Sequence, residues 1–408
     1  MVRPQLGMKP DFDDIENARR RLQGVVRSTP MIRSEALDRT FGAEIYLKPE
    51  NLQKTGSFKI RGAYNRVAAL TPDEAARGVI AASAGNHGQA LAFAASRAGV
   101  RATIVMPRTA AIAKVEATRR YGQEVVLEGV DYPEARRAAD EIRARTGALF
   151  VDAYDDPFVI AGQGTVGCEI TDSFAPDFVI VPVGGGGLIA GIAQALKARA
   201  PSAVLIGVEA AGSPQLSASL AADAPAAVER PVDTIADGLA TGRLGALPFA
   251  LIRGRIGRVV TVDDFEIGEA VLLMLERRKL LTEGAGAAAM AGALKIKNDL
   301  RGKRVVIVIS GGNIDINLLD RIIGHGLAKM GRLFRFAVDM HDRPAELARL
   351  LGEIASTGAN VHTIEHDRTR RDVPIGSARV MLELETRGPD HIALIRAHLD
   401  SKGYKVVD

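Results

Sequence analysis

Four short stretches of this sequence carry residues able to act on one small ligand. The first is Lys54-Thr55-Gly56-Ser57-Phe58-Lys59-Ile60-Arg61-Gly62. A lysine set between an aromatic and an aliphatic residue is unusual if it only meets solvent. An amine in apolar surroundings loses its proton more readily and forms Schiff bases with carbonyl groups. Phe58 beside it can pack on a flat ring. Taken alone, the segment fits equally well a helix-opening lysine with a buried stem and a wet head. The second stretch is Ser83-Ala84-Gly85-Asn86-His87-Gly88. A turn of small residues opening a helix offers free N–H groups to an anion such as a carboxylate, and the Asn86 amide can bond a phenolic oxygen. For His87 a structural hydrogen bond is favoured over a general base, since the sequence shows no partner for it.

The third stretch is Gly184-Gly185-Gly186-Gly187-Leu188-Ile189-Ala190-Gly191. Successive N–H groups of a glycine run can wrap a phosphate, and a helix start adds its dipole. The fourth is Ser310-Gly311-Gly312-Asn313, whose hydroxyl can donate to a ring nitrogen, although a plain Ser-Gly-Gly turn explains it too. Two ligands compete to account for these stretches. Gly185, Gly187 and Ala190 fit the dinucleotide fingerprint, and Glu209 follows at about the spacing of a ribose-binding acid. That rival is an NAD-dependent dehydrogenase, and it leaves Lys59 and two of the turns without a task. One pyridoxal phosphate uses all four: an amine for its aldehyde, an amide for its ring oxygen, glycines for its phosphate, a hydroxyl for its pyridine nitrogen.

These groups need rigid elements to hold them. For about three quarters of the chain, apolar runs at 78–82, 102–106, 124–127, 178–182, 204–208 and 305–309 alternate with Ala-rich helical segments such as 134–145 and 189–198. Continuous Val/Ile runs are the mark of parallel strands buried on both faces, and the alternation predicts an open α/β sheet with ligands at the strands' carboxyl ends. After Gly324-His325-Gly326 the pattern becomes strand 334–340, helix 344–357 with Pro344 near its first turn, strands 360–367 and 377–385, helix 390–401 and strand 404–407. That is βαββαβ, the ferredoxin-like split motif, with a boundary expected near 325–332. The length of 408 residues suits two or more domains. With no Trp, few aromatics and basic residues interleaved with acids, the net charge of +4 does not indicate nucleic acid. No apolar run is long enough to span a bilayer, residues 1–16 lack the order of a signal peptide, and the single Cys168 allows no disulfide framework. A cytoplasmic enzyme is expected.

The motifs, in this order, resemble the fold-type II pyridoxal-phosphate enzymes, and most closely the threonine ammonia-lyase (threonine dehydratase) family. The likeness runs from about Ala18 to Gly324 and includes Ala161-Gly162-Gln163-Gly164-Thr165, Ala236-Asp237-Gly238 and Thr282-Glu283-Gly284-Ala285-Gly286. It implies a catalytic domain over 1–325, with a smaller subdomain of about 53–155 inserted in a larger one. It implies that Lys59 binds the cofactor and acts as the base and that Phe58 covers the ring. Asn86 then meets the ring hydroxyl, Gly184, Gly185, Gly186, Gly187 and Leu188 hold the phosphate, and Ser310 meets the pyridine nitrogen. Ser83, Gly85, Asn86 and His87 receive the substrate carboxylate. The implied reaction is dehydration and deamination of L-threonine to 2-oxobutanoate and ammonia, and of L-serine to pyruvate, with L-serine or threo-3-hydroxyaspartate as alternative preferred substrates. Serine racemases of the family carry a serine where this chain has Ala84, so racemisation is not expected. Glu209 matches an acid that helps bind a divalent cation in some relatives, but Ser213 and Gln215 add no second carboxylate, so no metal is assigned. The stretch 332–408 resembles an ACT-type regulatory domain through Asp342-Arg343-Pro344 and Gly358-Ala359-Asn360-Val361. This implies isoleucine or valine as effector and a homodimer or homotetramer; from the composition above, no nucleic-acid or membrane partner is expected.

Overall fold

The computed structural model describes residues 9–228, 232–370 and 372–407. Its contacts divide into two compact units, Met1–Asp315 and Ile316–Asp408. The division precedes the 325–332 stretch marked by the change of pattern. Gly324-His325-Gly326 do not break the chain there; they lie inside the helix Ile316–Lys329, which groups with the second unit. Two glycines weaken a helix by about 1 kcal/mol each, and tertiary packing, Ile322 being buried, overrides that propensity.

The first unit holds two sheets. The larger runs in the order Ile32–Arg33, Glu44–Pro49, Arg304–Ile309, Phe178–Pro182, Val204–Ala210, Ile256–Val262, parallel throughout except for the first pair. The smaller is fully parallel, in the order Glu124–Leu127, Ala102–Met106, Val79–Ala82, Leu149–Phe150. The apolar runs are strands as expected, and Val305 to Ile309 are wholly buried. Val79–Ala82 leads into the 83–88 turn, Phe178–Pro182 into the glycine run, and Arg304–Ile309 into Ser310. Three strand ends in two sheets thus present the chemical groups.

Three helices fix the spacing of these groups by direct backbone contact. Pro157–Ser173 packs against both Lys59–Ala68 and Gly187–Arg199. A Cβ on Gly162 would lie 2.5 Å from the Arg61 carbonyl oxygen, and one on Gly191 would lie 2.4 Å from the Gly164 nitrogen. Beside this contact sits a charge quartet, three of its members buried and Glu169 part-buried. Arg61 donates to both carboxylate oxygens of Glu50, each at 2.7 Å, and to Glu169 at 2.7 and 2.9 Å. Lys48 donates to Glu169 and to the Thr29 carbonyl. Two cations meet two carboxylates, so the desolvated charges are paired.

In the second unit the strands run in the order Asn360–Asp367, Ser377–Glu385, Leu333–His341, Val406–Val407, all antiparallel. The helices Glu346–Ser356 and Pro389–Ser401 complete βαββαβ. Alternate residues of Leu333–His341 are buried, as one packed sheet face requires. Pro344 falls outside the first helix rather than in its first turn. Ala345, at φ +69°, turns the chain left-handed just before Glu346, which costs an L-residue about 1–2 kcal/mol. Ala345→Gly should therefore raise the stability of this unit by about 0.5–1 kcal/mol once glycine's larger unfolded-state entropy is counted. A denaturation midpoint that stays or falls would show that the turn is unstrained.

Candidate active site

The three strand ends and the start of the Lys59–Ala68 helix close around one cavity of about 350 Å³. Phe58 and Lys59, Ser83, Gly85, Asn86 and His87, Gly184 through Leu188, and Ser310 all line it. Lys59 is the first residue of its helix. Its Nζ donates to the Ala153 carbonyl at 2.9 Å and stands 5.2 Å from the centre of the Phe58 ring. Burial pulls its pKa down to about 8, against the opposing pull of Asp152 and Glu283. The side chain is half-buried and lines the cavity, and its lowered pKa brings the amine closer to giving up its proton at neutral pH.

The glycine run opens the helix Gly187–Arg199, with Gly186 in the left-handed region at φ +93°. The first bond into that helix is Ala190 N–H to the Gly186 carbonyl at 3.0 Å, which leaves the N–H groups ahead of it for an anion. A Cβ on Gly185 would fall 2.2 Å from the Tyr154 ring, and one on Gly184 would fall 2.9 Å from the Gly238 carbonyl oxygen. The run must therefore be glycine to lie flat in its place. Gln215 steadies it from behind, donating to the carbonyls of Val183, Gly184 and Leu239 at 3.1–3.3 Å.

Asn86 is the first residue of the helix Asn86–Ala98, and the N–H of Gly85 ahead of it turns back to Ser83 Oγ at 3.3 Å. His87 behaves as a structural donor. Its Nε2–H donates to the Val151 carbonyl at 2.9 Å, and burial, with Lys59 nearby, lowers its pKa to about 4, so the ring is neutral. Ser310 Oγ is buried and donates to the Ala285 carbonyl at 3.2 Å, with its lone pairs left over.

Glu209 is not a cavity residue. Burial pushes its pKa up, and its carboxylate is enclosed by protein donors: the N–H of Leu216 at 2.8 Å, the N–H and hydroxyl of Ser217, and Thr261 Oγ1. It fastens the strand Val204–Ala210 to the helix Gln215–Ala222, away from the position a ribose-binding acid would need. Among the described residues no group of three His, Cys, Asp or Glu is placed to hold a metal ion. The sequence reading assigned no role to Glu283, Asn313 or Tyr154, which also line the cavity. Glu283 and Asn313 stood inside the quoted motifs, whereas nothing in the sequence pointed to Tyr154.

An amine of lowered pKa, a flat glycine cradle at a helix start, an amide and a strand-end hydroxyl thus share one cavity of ligand size. Residues 22–311 match the family described as pyridoxal-phosphate dependent enzyme. The chain belongs to this family. The residues present fit the family's cofactor, because the cradle leaves no room for a Cβ and, among the described residues, the amine has no charged partner in hydrogen-bond contact. Membership also sets aside the dehydrogenase reading. Within the family the chain is similar to the L-threonine ammonia-lyase of Thermotoga maritima, at 49% identity over 97% of this chain and 98% of that one. It is similar as well to the L-threonine ammonia-lyase of Geobacter sulfurreducens, at 46% identity over 96% and 98%. Among solved structures it resembles maize serine racemase, with a TM-score of 0.73 and 34% identity over 78% of this chain and 98% of that one. Among the described residues no helix is long and apolar enough to cross a membrane.

Proposed function

We propose that this protein is an L-threonine ammonia-lyase, converting L-threonine to 2-oxobutanoate and ammonium and, as a second substrate, L-serine to pyruvate. The observation that carries this reading is the likeness to two L-threonine ammonia-lyases along nearly the whole chain. Bound in the cavity, pyridoxal phosphate supplies an electron sink for charge developing at the substrate's Cα. The chain's residues do the rest. Lys59 Nζ anchors the cofactor and, once free, takes the Cα proton; its lowered pKa suits a base near neutral pH. Gly184 to Leu188 hold the phosphate, Phe58 covers the ring and Asn86 meets the ring oxygen. With its O–H turned from the Ala285 carbonyl to the ring nitrogen, Ser310 would donate there without adding a charge, which favours prompt elimination over transamination. The N–H groups at the start of Asn86–Ala98, with Ser83, receive the substrate carboxylate. Ala84, which also lines the cavity, has no exchangeable proton, so the serine that supplies the second base in racemases is missing.

Release of 2-oxo acid from L-threonine, L-serine and L-threo-3-hydroxyaspartate tests the assignment. Threonine is expected to give the highest kcat/KM, and serine is expected to yield pyruvate without D-serine. A higher kcat/KM for hydroxyaspartate or serine, or accumulation of D-serine, would overturn the substrate assignment.

The second unit is the regulatory part of this reading, an ACT-type domain in a cytoplasmic homodimer or homotetramer. A cavity of about 340 Å³ in it places Met340 and Leu347 beside Asp342, Arg343 and Arg368, apolar and charged groups of the kinds an aliphatic amino acid needs. Isoleucine or valine is the effector, and either should change the rate or cooperativity on threonine. An unchanged substrate curve with both would leave the unit an assembly element only.

A further inference from the structure

Two glycines of the site motifs make room for side chains rather than for a ligand. A Cβ on Gly56, itself at φ +73°, would lie 2.2 Å from Asn313 Oδ1, and one on Gly311 would lie 2.2 Å from Glu283 Oε1. Both of these side chains converge on Asn86. The chain of bonds starts at a group that can only accept, the Thr55 carbonyl, which takes a bond from Asn313 Nδ2 at 2.8 Å. Asn313 therefore shows its amino group on this side, and it donates to Asn86 Oδ1 at 2.7 Å. That turns the Asn86 amino group to Glu283, whose Oε1 accepts from Nδ2 at 2.6 Å. The carbonyl of the Asn86 amide and one of its two N–H bonds are thus committed, leaving the second N–H for the cavity.

We propose that Glu283 is a positioning residue for the cofactor ring: acting through Asn86, it commits that amide to donate to the ring oxygen, and the state of its own proton sets how firmly. The inference rests on the reading of the cavity as the pyridoxal-phosphate site and adds to it a residue and a pH dependence.

Glu283 is buried at the start of the helix Gly284–Lys295, yet its side chain does not cap that helix. The charged groups facing it are Asp237 from the turn Asp237–Leu239, Lys114 from the helix Ile112–Arg119, and Lys59. Asp152 and His87 face Lys59. Burial and Asp237 push the Glu283 carboxyl up to about 7, while Asn86 and Lys114 hold it back. It therefore changes charge within the working range. Ionised, it takes the Asn86 N–H in a charge-assisted bond, about twice as strong as the neutral one. Above that pKa the amide is held firmly, and as pH falls below it the hold loosens.

The test uses full-length holoenzyme, following the bound cofactor's visible absorbance and fluorescence between about pH 6 and 8.5. Pyridoxal phosphate Kd is measured by titrating resolved apoenzyme across the same range. Glu283→Gln keeps an acceptor for Asn86 but cannot titrate, and Glu283→Leu removes the acceptor. The wild type should show a transition near pH 7, with Kd rising about threefold or more towards the acid end, as a charge-assisted bond becomes a neutral one. Glu283→Gln should lose that transition while melting at the wild-type temperature, and Glu283→Leu should bind cofactor about tenfold more weakly at every pH. The same transition in Glu283→Gln, or wild-type affinity in Glu283→Leu, would overturn the inference. A wild-type protein that takes up no pyridoxal phosphate would instead overturn the reading of the cavity, and the inference with it.

Discussion

Replacing Lys59 by alanine is expected to abolish 2-oxo acid release from L-threonine, lowering kcat by about 10⁴-fold or more. A positioned proton-transfer group alone is worth about 10²–10⁴, and in the proposed reading the covalent anchor of the cofactor is lost with it. The variant should fold normally, since among the described residues the amine bonds only the Ala153 carbonyl, and the side chain is not part of the charge quartet. Side-by-side turnover and circular dichroism check this. A folded Lys59→Ala protein retaining more than about a hundredth of the activity would remove Lys59 from the central role.

The largest effect on stability is expected at Arg61. Its guanidinium is fully buried and bonded to both Glu50 and Glu169. Arg61→Met leaves the buried Glu50 and the part-buried Glu169 with Lys48 as their remaining cation, and removing one partner of a buried pair costs about 3–5 kcal/mol. Pairing the change with Glu50→Gln should recover part of that loss, because the uncompensated charge goes too, and a denaturant double-mutant cycle measures the recovery. Losses that simply add would mean the two side chains act independently. The pH dependence has a definite sign. Burial raises the Glu50 carboxyl, but Arg61 reverses this and brings it below its ordinary value. Its contribution is therefore present above the unfolded carboxylate range and is lost as pH falls through the depressed value.

The fold was most legible where burial writes itself as composition. The strand Arg304–Ile309 is apolar from its second residue on because both faces are covered, and the same holds for Phe178–Pro182 apart from its first residue. The strand Glu44–Pro49 went unread because Tyr46 and Lys48 interrupt it and Pro49 ends it. Lys48 is buried only because Glu169, 121 residues away, pairs with it, and no local pattern records such a partner. At the site, three of the four stretches stood out because each holds a residue type with few uses beside a strand end, and the fourth because it sets a lysine between an aromatic and an aliphatic residue. Glu283 and Asn313 did not, since their connection to Asn86 spans 197 and 227 residues. Glu209 misled for the opposite reason: its spacing from the glycine run suits a nucleotide, but its partners lie on the helix that follows it.

The glycine contacts of the helix Pro157–Ser173 bear on how this scaffold can change. Through Gly162 it touches the helix that begins with Lys59, and through Gly164 it touches the helix that begins at the glycine run. Main chain meets main chain at both crossings, so no rotamer lies between them to absorb an error. In the proposed reading, the span from Lys59 to the glycine run is in effect a gauge length, cut to one cofactor and indifferent to what is attached to it. Directed evolution towards new substrates should leave these crossings untouched and collect its changes in the turns after Val79–Ala82 and around 237–241. A screen that returned gains at Gly162, Gly164 or Gly191 would mean that the gauge can be reset.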